Sequence, residues 1–188
     1  MELKRLGIIL ILGSVLMSTQ AMAERNRACP TAVAEAVELE FGPGSADVTR
    51  CLAKREDIKV VYQINQECKN SNCDAPYAAG NIMNAYKGYV DTHGIDPAQV
   101  EIVAVVHSSG WKLVLDNNAA EPHPTAANPF QDKIQALLDK GIKVYFCQNT
   151  ARKKGVKLAH MIKGVKFVTS GVTALADFQS IGYSYVQP

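Results

Sequence analysis

The sequence predicts an α/β fold: a single three-layer domain with a mostly parallel sheet of about five strands flanked by helices, plus a helical N-terminal lead. Short, β-branched, apolar segments alternate along the chain with segments whose apolar residues recur at helical spacing. The connections between these segments are short, and strands that alternate with helices form parallel sheets through right-handed crossovers. No internal repeat or low-complexity tract competes with this interpretation.

Residues 1–23 have the pattern of a secretory signal peptide. Lys4 and Arg5 supply the charged region, residues 6–17 form an apolar run, and residues 21–23 are the small-residue cleavage site. The apolar run is shorter than the roughly 20 residues that a spanning helix needs. We therefore expect a periplasmic or secreted protein that has no membrane association after signal cleavage. The alternative is an exported protein held by an uncleaved anchor.

Residues 24–57 are predicted to be a helical N-terminal extension. Residues 30–40 favour a helix, and the glycines and proline of residues 42–45 end it. Nothing in this segment has catalytic spacing. Its expected role is to cover an edge or a face of the domain that follows.

Residues 58–188 are predicted to form the α/β domain. Its strands are apolar and β-branched, which is typical of strands covered on both faces. The predicted strands are Ile58–Ile64, Val100–Val106 and residues 142–146, 165–168 and 183–186. The predicted helices, which have one apolar face and in most cases a glycine at the end, are residues 75–93, 129–140, 150–163 and 172–181.

Charge and ligand spacing exclude some function classes. The 20 basic and 18 acidic residues nearly balance, and the few aromatic residues are not interleaved with arginine, which argues against nucleic-acid binding. The pair Cys68 and Cys73 is not followed by a second ligand pair at zinc-site spacing. The histidines are scattered singly, at His93, His107, His123 and His160. We expect neither a metal nor a cofactor.

All cysteines lie beyond the predicted cleavage site, so an exported chain would carry them into an oxidising compartment. They are Cys29, Cys51, Cys68, Cys73 and Cys147. An odd number of thiols cannot all pair within one chain. If Cys147 is the free one, three pairings of the others remain open, and proximity in sequence favours Cys29 with Cys51 and Cys68 with Cys73.

Cys147 is the leading candidate for catalysis because it lies where a predicted strand ends and a helix begins. Parallel sheets bind ligands at the carboxyl ends of their strands, and a helix amino terminus favours a thiolate. Arg152, Lys153 and Lys154 are expected to add positive charge in the first turn of that helix. The alternative is a buried structural thiol.

His107 ends a strand that is expected to lie beside the Cys147 strand, so its imidazole is a candidate to exchange a proton with the thiol. The alternative is a structural histidine. The candidate binding residues at the same sheet edge are Asn65, Ser108, Ser109, Asn149, Thr150 and Arg152. For Asn149 and Thr150 we favour helix capping over ligand contact.

Five segments of this domain follow the pattern of a known family: residues 59–61, 103–107, 141–147 with the terminal cysteine, 164–165, and the ending 182–186. On these segments the chain resembles the DsrE/DsrF-like proteins, small α/β domains several of which relay sulfur as a cysteine persulfide. The resemblance implies that Cys147 carries sulfur and that the chain forms a homo-oligomer. The signal segment, the helical lead and the other four cysteines depart from the cytoplasmic relay members, so their usual partners are not expected.

The leading functional hypothesis is an exported sulfur-binding or sulfur-transfer protein that carries a persulfide on Cys147. Its partners would be sulfur donor and acceptor proteins or small sulfur compounds. The sequence does not distinguish a sulfurtransferase from a carrier without turnover. One alternative is a non-enzymatic ligand-binding or interaction module with a structural Cys147. Another is a thiol-disulfide redox protein in which Cys68 or Cys73 resolves an oxidised Cys147.

Overall fold

The computed structural model describes residues 29–188. The predicted signal peptide lies outside this range. The chain divides into two compact units, of which the first ends at Arg55 and the second comprises Glu56–Pro188. Within residues 29–188, no helix combines the length and apolar character that crossing a membrane requires.

The first unit contains helix α1 (Thr31–Phe41) and a short 3-10 turn at Ala46–Val48. A disulfide joins Cys29 to Cys51, with the two Cα atoms 5.0 Å apart. A segment this short cannot bury a large apolar core, so a cross-link that restricts its unfolded state is an effective means of stabilisation.

The second unit contains five parallel strands in the order β4-β3-β2-β1-β5. This confirms the predicted fold class. The strands are β1 (Ile58–Ile64), β2 (Val100–Val106), β3 (Lys143–Cys147), β4 (Lys166–Val168) and β5 (Ser184–Val186). The first two match their predicted bounds because continuous apolar, β-branched runs mark buried strands clearly.

The helices of this unit are shorter than predicted. They are α2 (Ala79–Lys87), α3 (Gln131–Asp139), α4 (Gln148–Lys154) and α5 (Gly171–Ser180). A π-helical turn, Gly88–Thr92, continues α2. The prediction of one helix over residues 150–163 was wrong, because Gly155 adopts a left-handed conformation with φ of 71° and ends α4 there.

The strand order places the helices on two faces of the sheet. The chain runs from β1 to β4 in one direction and then returns through α5 to β5, on the far side of β1. Right-handed crossovers therefore put α2, α3 and α4 on one face and α5 on the other. The α5 face has its own apolar cluster, formed by Val61, Val103, Val105, Leu175 and Tyr183.

The strand register also places several polar residues on this α5 face. Val61 pairs with both Tyr185 and Val103, and Val105 pairs with both Gln63 and Tyr145. Alternate residues of a strand share a face, and the backbone of His107 stays extended just after β2. Among the residues that follow this alternation on the α5 face are Gln63, His107, Cys147 and Tyr185.

Gly110 lies so close to the backbone of Ile64 and Gln66 that a side chain at this position should destabilise the protein. A Cβ at this position would lie 2.9 Å from the carbonyl oxygen of Ile64 and 3.1 Å from that of Gln66. Because both neighbours are backbone atoms, we expect Gly110→Ala to lower the free energy of unfolding by roughly 1–3 kcal/mol, measured by urea denaturation.

Gly80 provides the matched control, because it lies in α2 and no atom lies within 4 Å of the position a Cβ would take. Gly80→Ala should leave the stability unchanged or raise it by about 0.5–1 kcal/mol. Equal stability of the two variants would contradict the close approach at Gly110.

Candidate functional site

Cys147 is the last residue of β3 and the residue directly before α4. Within residues 29–188 it is the one free cysteine, and it is 5 % exposed. The helix starts two residues earlier than predicted, so the N-cap position is occupied by Cys147 itself. Asn149 and Thr150 therefore lie inside the first turn, and the prediction that they cap the helix was wrong.

The sulfur of Cys147 is surrounded by hydrogen-bond donors. Burial by itself raises the pKa of a thiol, because it disfavours the charged form. The N–H groups of Thr150, Gly171 and Asn149 and the hydroxyl of Thr150 outweigh that burial, so the pKa of Cys147 is lowered from the ordinary 9.0. The site therefore raises the thiolate fraction of Cys147 above that of an ordinary thiol, in a nearly closed environment.

Gly171 brings the start of α5 onto the same site. Its N–H is one of the donors to Cys147. A Cβ at Gly171 would lie 2.9 Å from the Cβ of His107, which is closer than Cβ atoms approach other atoms, and 3.1 Å from its Cγ, which is tighter than most such contacts. A residue without a side chain is required here, because α5 begins directly against the His107 side chain.

His107 lies just after β2, which pairs with β3 as expected. Its Nε2 is 2.8 Å from the amide nitrogen of Gln63, and its Nδ1 is 2.8 Å from the hydroxyl oxygen of Ser108. Burial lowers the pKa of His107, so the neutral imidazole is favoured. Both ring nitrogens are occupied by partners other than Cys147.

The turn after His107 connects three strand ends. Ser108 has a φ of 51°, and its N–H donates to the hydroxyl oxygen of Thr150 over 3.1 Å. The N–H of Ser109 donates to the carbonyl oxygen of Asn65 over 3.1 Å. The side-chain oxygen of Asn65 is buried and has no hydrogen-bond partner among the described residues.

The basic residues of α4 lie in its last turn, because the helix starts at Gln148 and ends at Lys154. The prediction that they add positive charge to the first turn was wrong. Arg152 instead donates to the side-chain oxygen of Asn149 over 3.0 Å, and Lys154 lies over the ring of Trp111. In these positions their positive charges interact favourably with the partial negative charge at the carboxyl end of the helix.

The loop after β1 contains the second disulfide, which joins Cys68 to Cys73 with the Cα atoms 4.8 Å apart. The ligand atoms of Glu67, Cys68 and Cys73 lie within 4.8 Å of one another, which is close enough for a metal ion. In this structure the two sulfurs bond to each other, and the Glu67 carboxylate pairs with Lys112 over 2.9 Å.

Three residues of the site were not predicted from the sequence: Gln63, Gly171 and Tyr185. The hydroxyl of Tyr185 donates to the side-chain oxygen of Gln63, whose amide nitrogen contacts His107. Gln63 had a recognisable signal, since it is a polar residue within an apolar strand. Gly171 and Tyr185 had no recognisable signal in the sequence, because their place in the site depends on which helices and strands pack together.

The donors around Cys147 predict the pH dependence of its reactivity. A lowered pKa means that the thiolate fraction, and hence the rate of alkylation by iodoacetamide, should reach half of its maximum below pH 9.0. Thr150→Val removes the hydroxyl donor, so we expect the midpoint to rise and the rate below that pH to fall about tenfold.

Thr150→Ser is the matched control, because it keeps the hydroxyl. Its midpoint should stay close to that of the wild type. A midpoint that Thr150→Val leaves unchanged would contradict the hydrogen bond from Thr150 to the sulfur.

The fold was compared with those of solved structures. A protein of unknown function, MTH1491 from Methanobacterium thermoautotrophicum, aligns with a TM-score of 0.53 and 22 % identity, over 70 % of this chain and 100 % of that chain. The ychN protein from E. coli aligns with a TM-score of 0.46 and 16 % identity, over 69 % of this chain and 97 % of that chain. No curated protein matches the sequence.

The family assignment comes from the sequence. The family model of the DsrE/DsrF-like family matches residues 59–188, which is most of the chain and all of the sheet except Ile58. The matched segment also contains Cys147, His107 and the other residues of the site described above. The chain belongs to the DsrE/DsrF-like family.

Proposed function

We propose that the protein carries sulfane sulfur as a persulfide on Cys147. The family suggests a sulfur-relay role in general terms. The main support for a persulfide on Cys147 is the set of hydrogen-bond donors directed at its sulfur. These donors lower the pKa of a thiol that is only 5 % exposed. A persulfide carrier needs this combination of a nucleophilic sulfur and shielding from solvent.

The reaction requires no added oxidant. The Cys147 thiolate attacks the outer sulfur of a donor R–S–SH, a new S–S bond forms, the donor S–S bond breaks, and R–S⁻ leaves. The product is Cys147–S–SH, and attack by an acceptor thiolate on its outer sulfur reverses the exchange. Both steps are thiol-disulfide exchanges and depend on the thiolate fraction of the attacking sulfur.

The other cysteines are not nucleophiles in this structure. Cys29 is bonded to Cys51, and Cys68 is bonded to Cys73. This arrangement supports Cys147 as the site of sulfur loading. It also supports our proposal that the protein is exported, because disulfides persist in oxidising compartments and residues 1–23 have the pattern of a signal peptide.

We further propose that the partners are a sulfur donor and a sulfur acceptor, either proteins or small sulfur compounds, and that the chain acts as a homo-oligomer. The low exposure of Cys147 favours small donors, since a bulky reagent cannot approach the sulfur as closely.

A second candidate function is an interaction module in which Cys147 is structural. The same 5 % exposure of Cys147 favours it, because buried free thiols are commonly inert. The two functions differ in whether the sulfur reacts.

Intact mass spectrometry without reductant tests the proposal. We expect the protein to gain one sulfur atom after incubation with polysulfide, with the added sulfur mapped to Cys147 by peptide analysis. The gain should disappear on reduction by a dithiol, which takes the outer sulfur.

Cys147→Ser is the control and should gain no sulfur, because the hydroxyl is a poor nucleophile at neutral pH. A wild-type protein that stays unmodified while its thiol still reacts with iodoacetamide would contradict the carrier function. A thiol that reacts with neither reagent would favour the interaction module.

A further inference from the structure

The acidic and basic residues of the chain are unevenly distributed, although their totals nearly balance. All 18 acidic residues lie outside residues 140–176, and this segment contains eight of the 20 basic residues. The segment includes the edge strand β4, its neighbour β3 and the helix α4 between them. Cys147 lies inside the segment, so the free thiol belongs to a part of the fold that has cations and no carboxylates of its own.

The cations that follow Cys147 are not neutralised by carboxylates from other elements. Lys143, which precedes Cys147, pairs with Glu101. Among residues 29–188, no ion pair involves the cations after Cys147. They are all exposed, and they are Arg152, Lys153, Lys154, Lys157, Lys163 and Lys166. Their positive charge is therefore available to an approaching anion.

Lys166 lies on the same face of the sheet as Cys147. Tyr145 pairs with Lys166 and Cys147 pairs with Val168, in adjacent parallel strands. Alternate residues of a strand share a face, so Lys166 and Cys147 do as well. A strand spacing of about 4.8 Å and a rise of about 3.3 Å per residue place their Cα atoms about 8 Å apart.

The cations of α4 lie at a similar distance from the thiol. Cys147 directly precedes α4, whose last turn contains Arg152, Lys153 and Lys154. At a rise of about 1.5 Å per residue, these positions are about 8–10 Å along the helix from Cys147. The Debye length is about 8 Å at physiological ionic strength, so cations of both β4 and α4 act on a charge near the sulfur, most strongly in dilute salt.

We infer that this basic segment selects small anionic sulfur compounds, such as inorganic polysulfide, as the donors that load Cys147. The inference rests on the proposed function for the loading step itself. The Cys147 thiolate attacks the outer, protonated sulfur of a polysulfide HSₙ⁻, and the bond from that sulfur to the next one breaks. Cys147 becomes Cys147–S–SH, and the polysulfide, shorter by one sulfur, leaves as a dianion.

The cations matter for this step because the nucleophile and the donor are both anions and repel each other. Positive charge beside the sulfur offsets the repulsion and raises the local concentration of the donor. A single cation about 8 Å away raises the concentration of a monoanion about twofold in water of low ionic strength. Several such cations act together at this edge of the sheet.

Two alkylating reagents of similar size measure the field at Cys147 without any sulfur donor. Iodoacetate is an anion and iodoacetamide is neutral, so the ratio of their rates at Cys147 reports the local field. A change in thiolate fraction affects both rates equally and cancels. For the wild-type protein we expect the ratio to fall at least twofold when the ionic strength rises from about 0.01 M to about 0.15 M.

Lys166→Glu replaces the cation on the face of Cys147 by an anion, so at low ionic strength the iodoacetate-to-iodoacetamide ratio should fall about fivefold. Lys153→Glu in α4 should lower it by a similar factor. Lys87→Glu is the matched control, since Lys87 is exposed and ends α2. This helix leads from the carboxyl end of β1 back to the amino end of β2, so its last turn lies toward the opposite edge of the sheet.

The control should change the ratio less than twofold, and circular dichroism shows that each variant is folded. A ratio that both Lys166→Glu and Lys153→Glu leave unchanged would overturn the inference. An equal fall in Lys87→Glu would also overturn it, because the net charge of the protein rather than the basic segment would then matter.

Loading with inorganic polysulfide, followed by intact mass spectrometry, completes the test. Lys166→Glu should load at least fivefold more slowly than the wild type at low ionic strength, and Lys87→Glu at nearly the wild-type rate. Equal loading rates in the wild type and Lys166→Glu would contradict the selection of anionic donors alone. The expected alkylation ratios in a protein that loads no sulfur would contradict the carrier function and support the anion selectivity of the site.

Discussion

The interaction on which the site depends is the set of hydrogen bonds that converge on the sulfur of Cys147. Burial of a thiol opposes its ionisation, and here neutral donors reverse that effect. Two of the backbone donors come from the first turn of α4 and one from the start of α5. The lowered pKa therefore requires β3, α4 and α5 to meet at one point, so the chemistry of this thiol is a property of the assembled domain.

The assembly places strict conditions on the residues around the thiol. Gly171 has to lack a side chain for α5 to begin against His107. His107 in turn is fixed at both ring nitrogens by Gln63 and Ser108. A histidine near a free cysteine suggests proton exchange, but both ring nitrogens of His107 contact residues other than Cys147. The low exposure of Cys147 and the neutral donors around it describe a preorganised site.

The two disulfides have a different relation to the site. One closes the N-terminal segment on itself, and the other closes the loop after β1. Each cross-link is local, and together they leave Cys147 as the free thiol of residues 29–188. Under the proposed function this pairing matters, since unpaired thiols would compete with Cys147 for a sulfur donor or form mixed disulfides with it.

The sequence by itself determined the five strands, their parallel arrangement and the location of Cys147 at a strand end, because these features follow from local apolar patterns and from the order of strands and helices. Only the tertiary structure decided the chemistry of the thiol. Gln63 and Tyr185 are separated by 122 residues and meet because of the strand register. Local patterns do not encode such pairings, and they also misplaced the start of α4 and its basic residues, since the strand runs into the helix without a turn.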